Sequence, residues 1–543
     1  MKLLTVAEMR AIEQEADLNG LSYAQMMENA GRGLAHEISS LVYYDDEGGE
    51  RDVLALTGPG NNGGDALVAL AHLAADGWRV RAYLAHRAPD ALSERLRLAG
   101  GEILSVEEDP DLTRLAAFVE NAHVVVDGLL GTGFKAPLRA DLARVMDAVN
   151  RAIAAALATP LVVAVDCPSG VDCDSGAAAE EVIPASRTVC MGAVKQGLLR
   201  FPAFELAGEI RVIDIGLTDE PSWKEVKHFA ADDDLVTELL PPRPGDAHKG
   251  DFGTALIAAG SVNYTGAALL AGKAAYRVGA GLVQMAVPGA LHAALSGHFP
   301  EATWAILPSE TGVIASGAAD VLAKNFERAT ALLVGPGLGT EESTAKFIEN
   351  LLTGKAAAKK ASAPIGFIHT DSAPKNEKPA AGLPALVLDA DGLRLLAKLE
   401  NWPGLLPAES VLTPHPGEMA ALTGLPVEEI QADRLGVALK FSAAWNQVLV
   451  LKGAFTVIAA PDGRATLIPV ATPALARAGT GDVLAGMIVG LRAQGLSAYD
   501  SAVAAAWIHA QAGLLAAHRS GSEASVLAGD LLDLIGEVLG YLS

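Results

Sequence analysis

The chain has 543 residues, of which 41 are Lys or Arg and 65 are Asp or Glu, for a formal net charge of −24. We expect no nucleic-acid partner, because so acidic a chain without a basic patch is repelled by phosphate backbones. The length exceeds what one hydrophobic core usually serves, so two domains are expected. Half of the residues are hydrophobic and these are mainly Ala, Leu and Val, which suits buried parallel strands alternating with Ala-rich helices.

The first residues, MKLLTVAEMRAIEQEA, have the pattern of an amphipathic helix and lack that of a signal peptide. No apolar run reaches the roughly 18 residues of a membrane span. Cys167, Cys173 and Cys190 do not have the spacing of a zinc site, and we interpret them as free buried thiols. We therefore expect a cytoplasmic protein without a membrane partner.

Short β-branched runs recur through residues 1–220, separated by Ala- and Leu-rich stretches of helical length. They begin at Val53, Val80, Val124, Leu161, Thr188 and Ile210. This alternation predicts a parallel sheet covered by helices on both faces. The pattern stops between Leu217 and Gly250, where Pro and Gly accumulate as in linkers, so we place the domain boundary near residue 225.

The same alternation restarts in the second half and indicates a second α/β domain. Its runs begin at Thr254, Gly281, Ala331, Ala385, Ser410, Val448 and Ala465. One segment, residues 353–384, is rich in Lys, Ala and Pro and has no periodicity. We interpret it as a flexible surface insertion and assign it no function.

The run TGPGNNGGDALVAL follows a strand and opens a helix, so that Gly58, Gly60 and Gly63 satisfy the pattern G-x-G-x-x-G. Dehydrogenases with this loop carry an acidic residue for the ribose after the second strand. Here that strand ends in Ala85-His86-Arg87. The loop can approach a phosphate, but it does not belong to an ordinary dehydrogenase site.

Polar side chains follow three predicted strands of the first half at their carboxyl ends, where open α/β sheets bind ligands. They are Asn62, Asp127, and Asp166 with Ser169. Such oxygen ligands suit an alkali or alkaline-earth cation better than zinc. In the alternative interpretation, Asp65 caps the next helix, Asn62 closes a turn and Ser169 bonds to its own backbone.

Four motifs of the first half closely resemble the NAD(P)H-hydrate epimerase family: MMENAGRGLA, GPGNNGGDALVAL, VVDGLLGTGFKAPL and DCPSGVDCDSG. The resemblance covers about residues 1–220 and departs at Ala66, where a further glycine often follows Gly-Gly-Asp. It implies that Asn62, Asp127 and Ser169 hold a potassium ion. The substrate-binding residues that it implies are Asn61, Asn62, Gly63, Gly64, Asp65, Gly131, Thr132, Gly133, Phe134, Lys135, Ala136, Pro137 and Asp166.

The implied activity interconverts the R and S epimers of hydrated NADH and NADPH, called NADHX and NADPHX. Their hydroxyl group sits on a carbon bonded to the ring nitrogen, whose lone pair assists its departure. Water then returns to either face of the ring. A carboxyl group such as that of Asp166 can act first as the acid and then as the base.

In the second half, Gly479, Thr480, Gly481 and Asp482 stand immediately before an Ala- and Gly-rich stretch with the pattern of a helix. Backbone amides of such a loop can face a phosphate at the positive end of the helix. A carboxylate beside an anion site suggests a base that accepts a hydroxyl proton during phosphoryl transfer. The alternative is that Asp482 only caps the helix.

Five further motifs place a Gly turn or polar group at a strand end: HKGDFGTALIAAGS, GPGLG, LDADGL, TPHPGEMAALTG and LKGAFTVIA. With AGTGD they closely resemble the ribokinase-like domain of ADP-dependent NAD(P)H-hydrate dehydratases, over about residues 225–540 apart from the insertion. The two resemblances imply an N-terminal Rossmann-like parallel α/β/α sandwich, residues 1–225, and a C-terminal ribokinase-like α/β domain, residues 226–543.

The second resemblance also implies residues for the hydrated nicotinamide, for ADP and for its Mg²⁺. The nicotinamide residues are Ala267, Gly339, His415 and Asp482, although His415 can instead be a turn residue between Pro414 and Pro416. The ADP residues are Lys452, Gly453, Ala454, Phe455, Thr456, Thr472, Arg477, Ala478, Gly479, Thr480 and Gly481. Lys249 and Asp391 are further candidates for phosphate or metal contacts.

Two other interpretations remain open on the sequence. The chain can be a kinase of a small alcohol with a regulatory first half, because that fold shares its phosphate-binding loops. The first half can also be an interaction module of RNA metabolism, which the retained polar residues and the acidic charge disfavour. We expect NADHX, NADPHX and ADP as small-molecule partners, and a homo-oligomer; ADP rather than ATP rests on the resemblance alone.

Overall fold

A computed structural model describes residues 1–42, 51–354 and 382–542. Most of the insertion that was predicted at residues 353–384 therefore lies outside the described residues. The chain divides into two compact units, Met1–Ala230 and Ala231–Ser543. Each unit has an α/β fold, so the fold class predicted for both halves is confirmed.

The first unit alternates strands with helices. Its strands are β1 (Leu3–Leu4), β2 (Asp52–Thr57), β3 (Arg79–Leu84), β4 (Glu102–Ser105), β5 (Val124–Gly128), β6 (Leu161–Val165), β7 (Arg187–Met191), β8 (Val194–Lys195), β9 (Glu209–Ile213) and β10 (His228–Ala230). Its helices are α1 (Val6–Leu18), α2 (Tyr23–Val42), α3 (Asn61–Ala75), α4 (Ala91–Leu98), α5 (Thr113–Glu120), α6 (Ala140–Ala155), α7 (Ala203–Ala207) and α8 (Pro221–Lys224).

Seven of these strands form one parallel sheet in the order β4-β3-β2-β5-β6-β7-β9. Along β2, Val53 and Ala55 belong to one hydrophobic cluster, and Leu54 and Leu56 belong to another. Because successive side chains of a strand point to opposite faces, helices cover both faces of the sheet. The strand order reverses between β2 and β5, which marks the place where such sheets bind ligands.

The N-terminus differs from its prediction as one continuous helix. Leu3 and Leu4 form β1, which pairs in parallel with Val194 and Lys195 of β8. The helix α1 begins only at Val6, after a capping box. The edge strand β4 was also not predicted, because its residues are partly exposed and lack an apolar run.

The second unit has the same alternation. Its strands are β11 (Thr254–Ala258), β12 (Leu282–Pro288), β13 (Thr303–Leu307), β14 (Ser309–Glu310), β15 (Val313–Ile314), β16 (Ala331–Val334), β17 (Ala385–Leu388), β18 (Val411–Leu412), β19 (Val448–Leu451), β20 (Val457–Ala459) and β21 (Ala465–Leu467). Its helices are α9 (Asp233–Leu239), α10 (Thr265–Arg277), α11 (Gly289–Leu295), α12 (Ala318–Ala323), α13 (Glu342–Thr353), α14 (Asp391–Leu396), α15 (Pro416–Thr423), α16 (Val427–Ala432), α17 (Arg434–Trp445), α18 (Thr480–Ala493), α19 (Ala498–Ser520) and α20 (Ala528–Tyr541).

The main sheet of the second unit runs in the order β21-β20-β19-β18-β17-β16-β11-β12-β13. Its strands are parallel from β13 to β19, whereas β19, β20 and β21 pair antiparallel. The apolar run that begins at Val448 contains two strands, because a turn separates β19 from β20, and this turn includes the glycine of the motif LKGAFTVIA. In that turn Gly453 has φ +147° and Phe455 has φ +53°, which breaks the extended backbone.

Among the described residues, no helix is long and apolar enough to cross a membrane. Cys167, Cys173 and Cys190 are buried and free.

Candidate active sites

The first candidate site lies at the carboxyl edge of the sheet of the first unit, beside the reversal between β2 and β5. A cavity of about 1000 Å³ opens there. This volume is at the upper end of the roughly 300–1000 Å³ that is typical of small-molecule sites. The loops that follow β2, β5 and β6 contribute to its wall, as do α1 and α2.

The structure brings most of the residues predicted to bind the epimerase substrate into this wall. The cavity is lined by Asn61, Asn62, Asp65, Gly131, Thr132, Gly133, Phe134 and Asp166. It is not lined by Gly63, Gly64, Lys135, Ala136 and Pro137. A Cβ atom on Gly63 would lie 2.2 Å from the carbonyl oxygen of Gly58, so this glycine lets α3 pack against the preceding loop. The Lys135 ammonium lies 2.8 Å from Asp172 Oδ2.

The three predicted potassium ligands lie together and form an oxygen cluster with two backbone carbonyls. Asp127 is fully buried and accepts hydrogen bonds from Ser169 N at 2.8 Å and Ser169 Oγ at 2.5 Å. The Asn62 amide donates to the carbonyl oxygens of Leu130 and Val165. Burial raises the pKa of Asp127, and the hydrogen bonds from Ser169 oppose that rise. Oxygen ligands around a buried carboxylate fit a hard monovalent cation.

The alternative roles of Asp65 and Asn62 as a helix cap and a turn residue are wrong. Helix α3 is capped by Gly60, and Asn62 and Asp65 lie inside the helix. Asp65 is buried, and within the described residues its carboxyl group has no hydrogen-bond partner. Burial raises its pKa well above the usual value, and the nearby carboxylates of Asp166 and Glu13 add to this rise.

Asp166 forms an ion pair that the sequence did not reveal. Its Oδ1 accepts hydrogen bonds from Lys195 Nζ and, at 2.9 Å, from Met191 N. Lys195 is 1% exposed, lines the cavity and donates also to the carbonyl oxygens of Met191 and Ala193. The missed clue in the sequence is a lysine close behind a buried strand. A lysine in such a place needs a partner of opposite charge, because lysines are almost never fully buried unless they are paired.

The second candidate site is built around the start of α18 in the second unit. Gly479 caps the helix without a side-chain bond and has φ +93°. The helix already includes Thr480, so Asp482 lies in its first turn and not before it, which corrects the predicted position. Asp482 is therefore not the N-cap residue, and the capping alternative is wrong.

A buried lysine and several carboxylates surround this helix start. Lys452 Nζ lies 2.7 Å from Asp389 Oδ1 and 3.8 Å from Glu418 Oε2. Burial lowers the pKa of Lys452, but the carboxylates of Asp389 and Glu418 raise it by more, so that the pKa lies above the usual value. Asp389 also accepts a hydrogen bond from Thr413 Oγ at 2.7 Å. Sequence reasoning missed Asp389 and Glu418, although both stand inside motifs that it quoted, LDADGL and TPHPGE.

Burial raises the pKa of Asp482 to about 7. Asp389 adds to the rise, and Lys452 opposes it. A group with this pKa exchanges its proton near neutral pH, as a general base must. Perturbed carboxyl groups of this kind are typical of functional sites.

The residues predicted for the hydrated nicotinamide lie around the same strand ends. His415 caps α15 by accepting a hydrogen bond from Gly417 N at 3.0 Å, so it has a structural partner. Gly339 N donates to Asp391 Oδ2 at 3.0 Å. Ala267 lies in α10 and is nearly buried. Lys249 is exposed, and no contact of its side chain with the described residues supports a role at the site.

The predicted ADP residues form two adjoining segments. The turn Lys452–Thr456 follows β19, and residues 472–481 lead into α18. A Cβ atom on Gly481 would lie 3.4 Å from Lys452 Nζ, which places the two segments side by side. Thr480 Oγ donates to the carbonyl oxygens of Leu475 and Arg477, both at 2.9 Å, and so ties the second segment together.

The fold and the sites define an α/β protein with two units, each with polar groups gathered at the carboxyl ends of parallel strands. Comparison with known families matches both units. The family described as YjeF-related protein N-terminus matches residues 23–197. The family described as NAD(P)H-hydrate dehydratase matches residues 255–358 and 370–536.

Curated relatives match the chain along its whole length. The bifunctional NAD(P)H-hydrate repair enzyme Nnr of Salinibacter ruber is 38% identical, over 99% of this chain and 96% of the relative. The enzyme of the same name from Escherichia coli is 32% identical, over 98% of this chain and 92% of the relative. This chain belongs to the family of bifunctional NAD(P)H-hydrate repair enzymes, which confirms the resemblance seen in the sequence.

A solved structure is similar to the second half. It is the ADP/ATP-dependent NAD(P)H-hydrate dehydratase from Bacillus subtilis, co-crystallized with ATP and Mg²⁺. The two chains are 32% identical, and the match covers 58% of this chain and 99% of that chain with a TM-score of 0.46.

Proposed function

We propose that the chain repairs hydrated NADH and NADPH, with the epimerase in residues 1–225 and a nucleotide-dependent dehydratase in residues 226–543. The observation that carries the proposal is Asp482, a carboxyl group with a pKa of about 7 in the first turn of a helix that follows a glycine loop. A helix start attracts phosphate, and a base of near-neutral pKa beside it suits attack by a hydroxyl group on that phosphate.

In the dehydratase, Asp482 takes the proton of the ring hydroxyl of the S epimer. The hydroxyl oxygen attacks the terminal phosphorus of ADP, and AMP leaves. Phosphate then leaves the ring while the neighbouring carbon loses a proton, which restores the double bond of NADH or NADPH. The products are the repaired nucleotide, AMP and phosphate.

The residues around Asp482 fit a divalent cation that accompanies the nucleotide. Asp389 Oδ2 is buried and has no hydrogen-bond partner among the described residues. Such an oxygen is a ligand that Mg²⁺ prefers. Asp389 and the nearby Glu418 would hold the ion, and when bound it neutralises charge on the phosphates.

In the epimerase, Asp166 and Asp65 divide the proton transfers. Asp166 is paired with the Lys195 ammonium group, whereas burial raises the pKa of Asp65 and favours its protonated form. Asp65 gives its proton to the departing hydroxyl, and Asp166 takes a proton from the water that returns to the other face. That proton passes back to Asp65 through water, so no net charge remains.

The oxygen cluster beside this site supports a potassium ion. The Asp127 carboxyl group is buried among neutral hydrogen-bond donors, the Ser169 hydroxyl and the Leu130 carbonyl add neutral oxygens, and the Asn62 amide lies beside them. When bound, K⁺ supplies the positive charge that a buried carboxylate otherwise lacks.

Two assays test the proposal on the full chain. With S-NADHX and ADP or ATP, we expect recovery of the NADH absorbance together with released phosphate. With R-NADHX alone, we expect conversion to a mixture of epimers on a chromatogram. A kinase of a small alcohol would instead accumulate a phosphate ester, and that outcome would overturn the proposal. Comparing the rates with ADP and ATP identifies the donor.

A further inference from the structure

Arg434, the first residue of α17, carries a largely buried guanidinium group. Nη2 donates to the carbonyl oxygen of Leu451 at 2.8 Å, and Nη1 donates to Gln431 Oε1 at 2.6 Å. Nε is buried and has no acceptor among the described residues. Both acceptors are neutral, so no carboxylate of the described residues balances this charge.

The neighbouring carboxylate of the same helix is used elsewhere. Asp433 caps α17 by accepting a hydrogen bond from Gly436 N at 3.0 Å. Burial lowers the pKa of Arg434 to about 10. The start of a helix is itself a positive end, so this cation occupies an unfavourable position that an anion would relieve.

The guanidinium group lies against Gly453, in the turn between β19 and β20. A Cβ atom on Gly453 would lie 3.0 Å from Nη2 and 3.1 Å from Nη1 of Arg434. The preceding residue, Lys452, approaches Gly481 in the loop at the start of α18. Arg434 therefore borders the turn that we assign to the nucleotide.

Lys452 is not a free charge for the nucleotide. Its ammonium is paired with Asp389 at 2.7 Å and lies 3.8 Å from Glu418. The positive charge at this turn that lacks a counter-charge among the described residues belongs to Arg434. A planar guanidinium fork matches the geometry of phosphate oxygens and keeps its charge at neutral pH.

We propose that Arg434 binds a phosphate group of the nucleotide beside the turn that contains Gly453. This inference rests on the proposed function, because it assumes that the turn Lys452–Thr456 binds ADP. In this role Arg434 discriminates nucleotides by their phosphate groups. The inference also gives a reason for the glycine at position 453, because a side chain there would crowd the guanidinium group.

Calorimetric titration of the full chain with ADP, AMP and adenosine tests the inference. We expect Arg434→Gln to weaken ADP binding about tenfold or more, because a charge-assisted hydrogen bond is lost. Adenosine binding should change by less than about twofold. The loss or retention of AMP affinity then shows which phosphate is held. Arg434→Lys keeps the charge without the fork and should weaken ADP binding to a smaller extent.

Arg277→Gln is the matched control. Arg277 is half-exposed at the end of α10 and pairs with Asp533 at 3.0 Å, so its loss should leave ADP binding unchanged. An equal loss of ADP and adenosine affinity in Arg434→Gln would show a structural role and overturn the inference, as would unchanged ADP binding. If Arg434→Gln does not fold, the same comparison in Arg434→Lys decides. Wild-type protein that binds neither ADP nor ATP would instead overturn the proposed function itself.

Discussion

Lys195 and Asp166 form an ion pair in the interior of the first unit, with 1% and 10% of their side chains exposed. The pair lies in the wall of the cavity beside Asp65, a buried carboxyl group without a hydrogen-bond partner among the described residues. Two carboxyl groups of one site thus have opposite environments. A paired carboxyl group beside an unpaired, buried one is an arrangement in which acid and base roles can be divided between the two.

We expect Lys195→Met to reduce the epimerisation rate at least tenfold, because Asp166 loses the buried ammonium group that pairs with it and holds its carboxyl group in place. The same change leaves a buried carboxylate unpaired and should lower the free energy of unfolding by about 3 kcal/mol. The double variant with Asp166→Asn removes both charges and should recover part of that stability. Chromatography of the epimers and urea unfolding measure the two effects. A full epimerisation rate in Asp166→Asn would contradict its assigned role.

Removal of potassium tests the oxygen cluster. We expect epimerisation to slow when K⁺ is replaced by tetramethylammonium, which is too large to reach the buried Asp127. Asp127→Asn should remove the dependence on K⁺, because the buried negative charge is gone. The dehydratase rate of the same samples serves as the internal control. Identical epimerisation rates in both salts would show that the cluster does not use the ion.

Asp482 predicts the pH dependence of dehydration. Its pKa is raised to about 7, so the carboxylate form that accepts a proton becomes populated as the pH rises through that value. The turnover rate should therefore fall about tenfold for each pH unit below about 6. Asp482→Asn should lose dehydration and keep ADP binding. A rate that stays constant from about pH 5 to about pH 8 would exclude Asp482 as the base.

His509 predicts a loss of stability in acid. This buried residue of α19 has Nε2 2.9 Å from the carbonyl oxygen of Thr480, and burial lowers its pKa to about 4. The unfolded chain binds a proton below about pH 6.5, whereas the folded chain does so only near pH 4. Stability is thus fully present above about pH 6.5 and falls by roughly 2 kcal/mol at about pH 5.

Urea unfolding at about pH 7.5 and about pH 5 measures this difference. His509→Gln keeps a donor for Thr480 without a titrating group, and it should show a smaller loss between the two pH values. His518→Gln, at the exposed end of the same helix, is the control and should behave like the wild type. An equal loss in His509→Gln and in the wild type would assign the acid sensitivity to other groups.

The sequence by itself determined the α/β class and the family. Buried parallel strands are continuous apolar runs, and the polar residues after them, such as Asn62, Asp127 and Asp166, stand at fixed places in Gly-rich motifs. The same logic predicted Asp482 beside an anion-binding helix start. Each of these patterns involves residues that are close together in the sequence, so it can be recognised without the tertiary structure.

Only the tertiary structure decided which charges meet. Lys195 and Asp166 are separated by 29 positions, and Lys452 and Asp389 by 63, so no local pattern reveals either pair. Pairing depends on strand order, which brings the carboxyl ends of distant strands to one edge of a sheet. The antiparallel pairing of β19 with β20 was likewise not visible in the sequence, because the run of apolar residues continues on both sides of the glycine turn. The burial of Arg434 also became visible only once the helix, the strand and the turn were packed together.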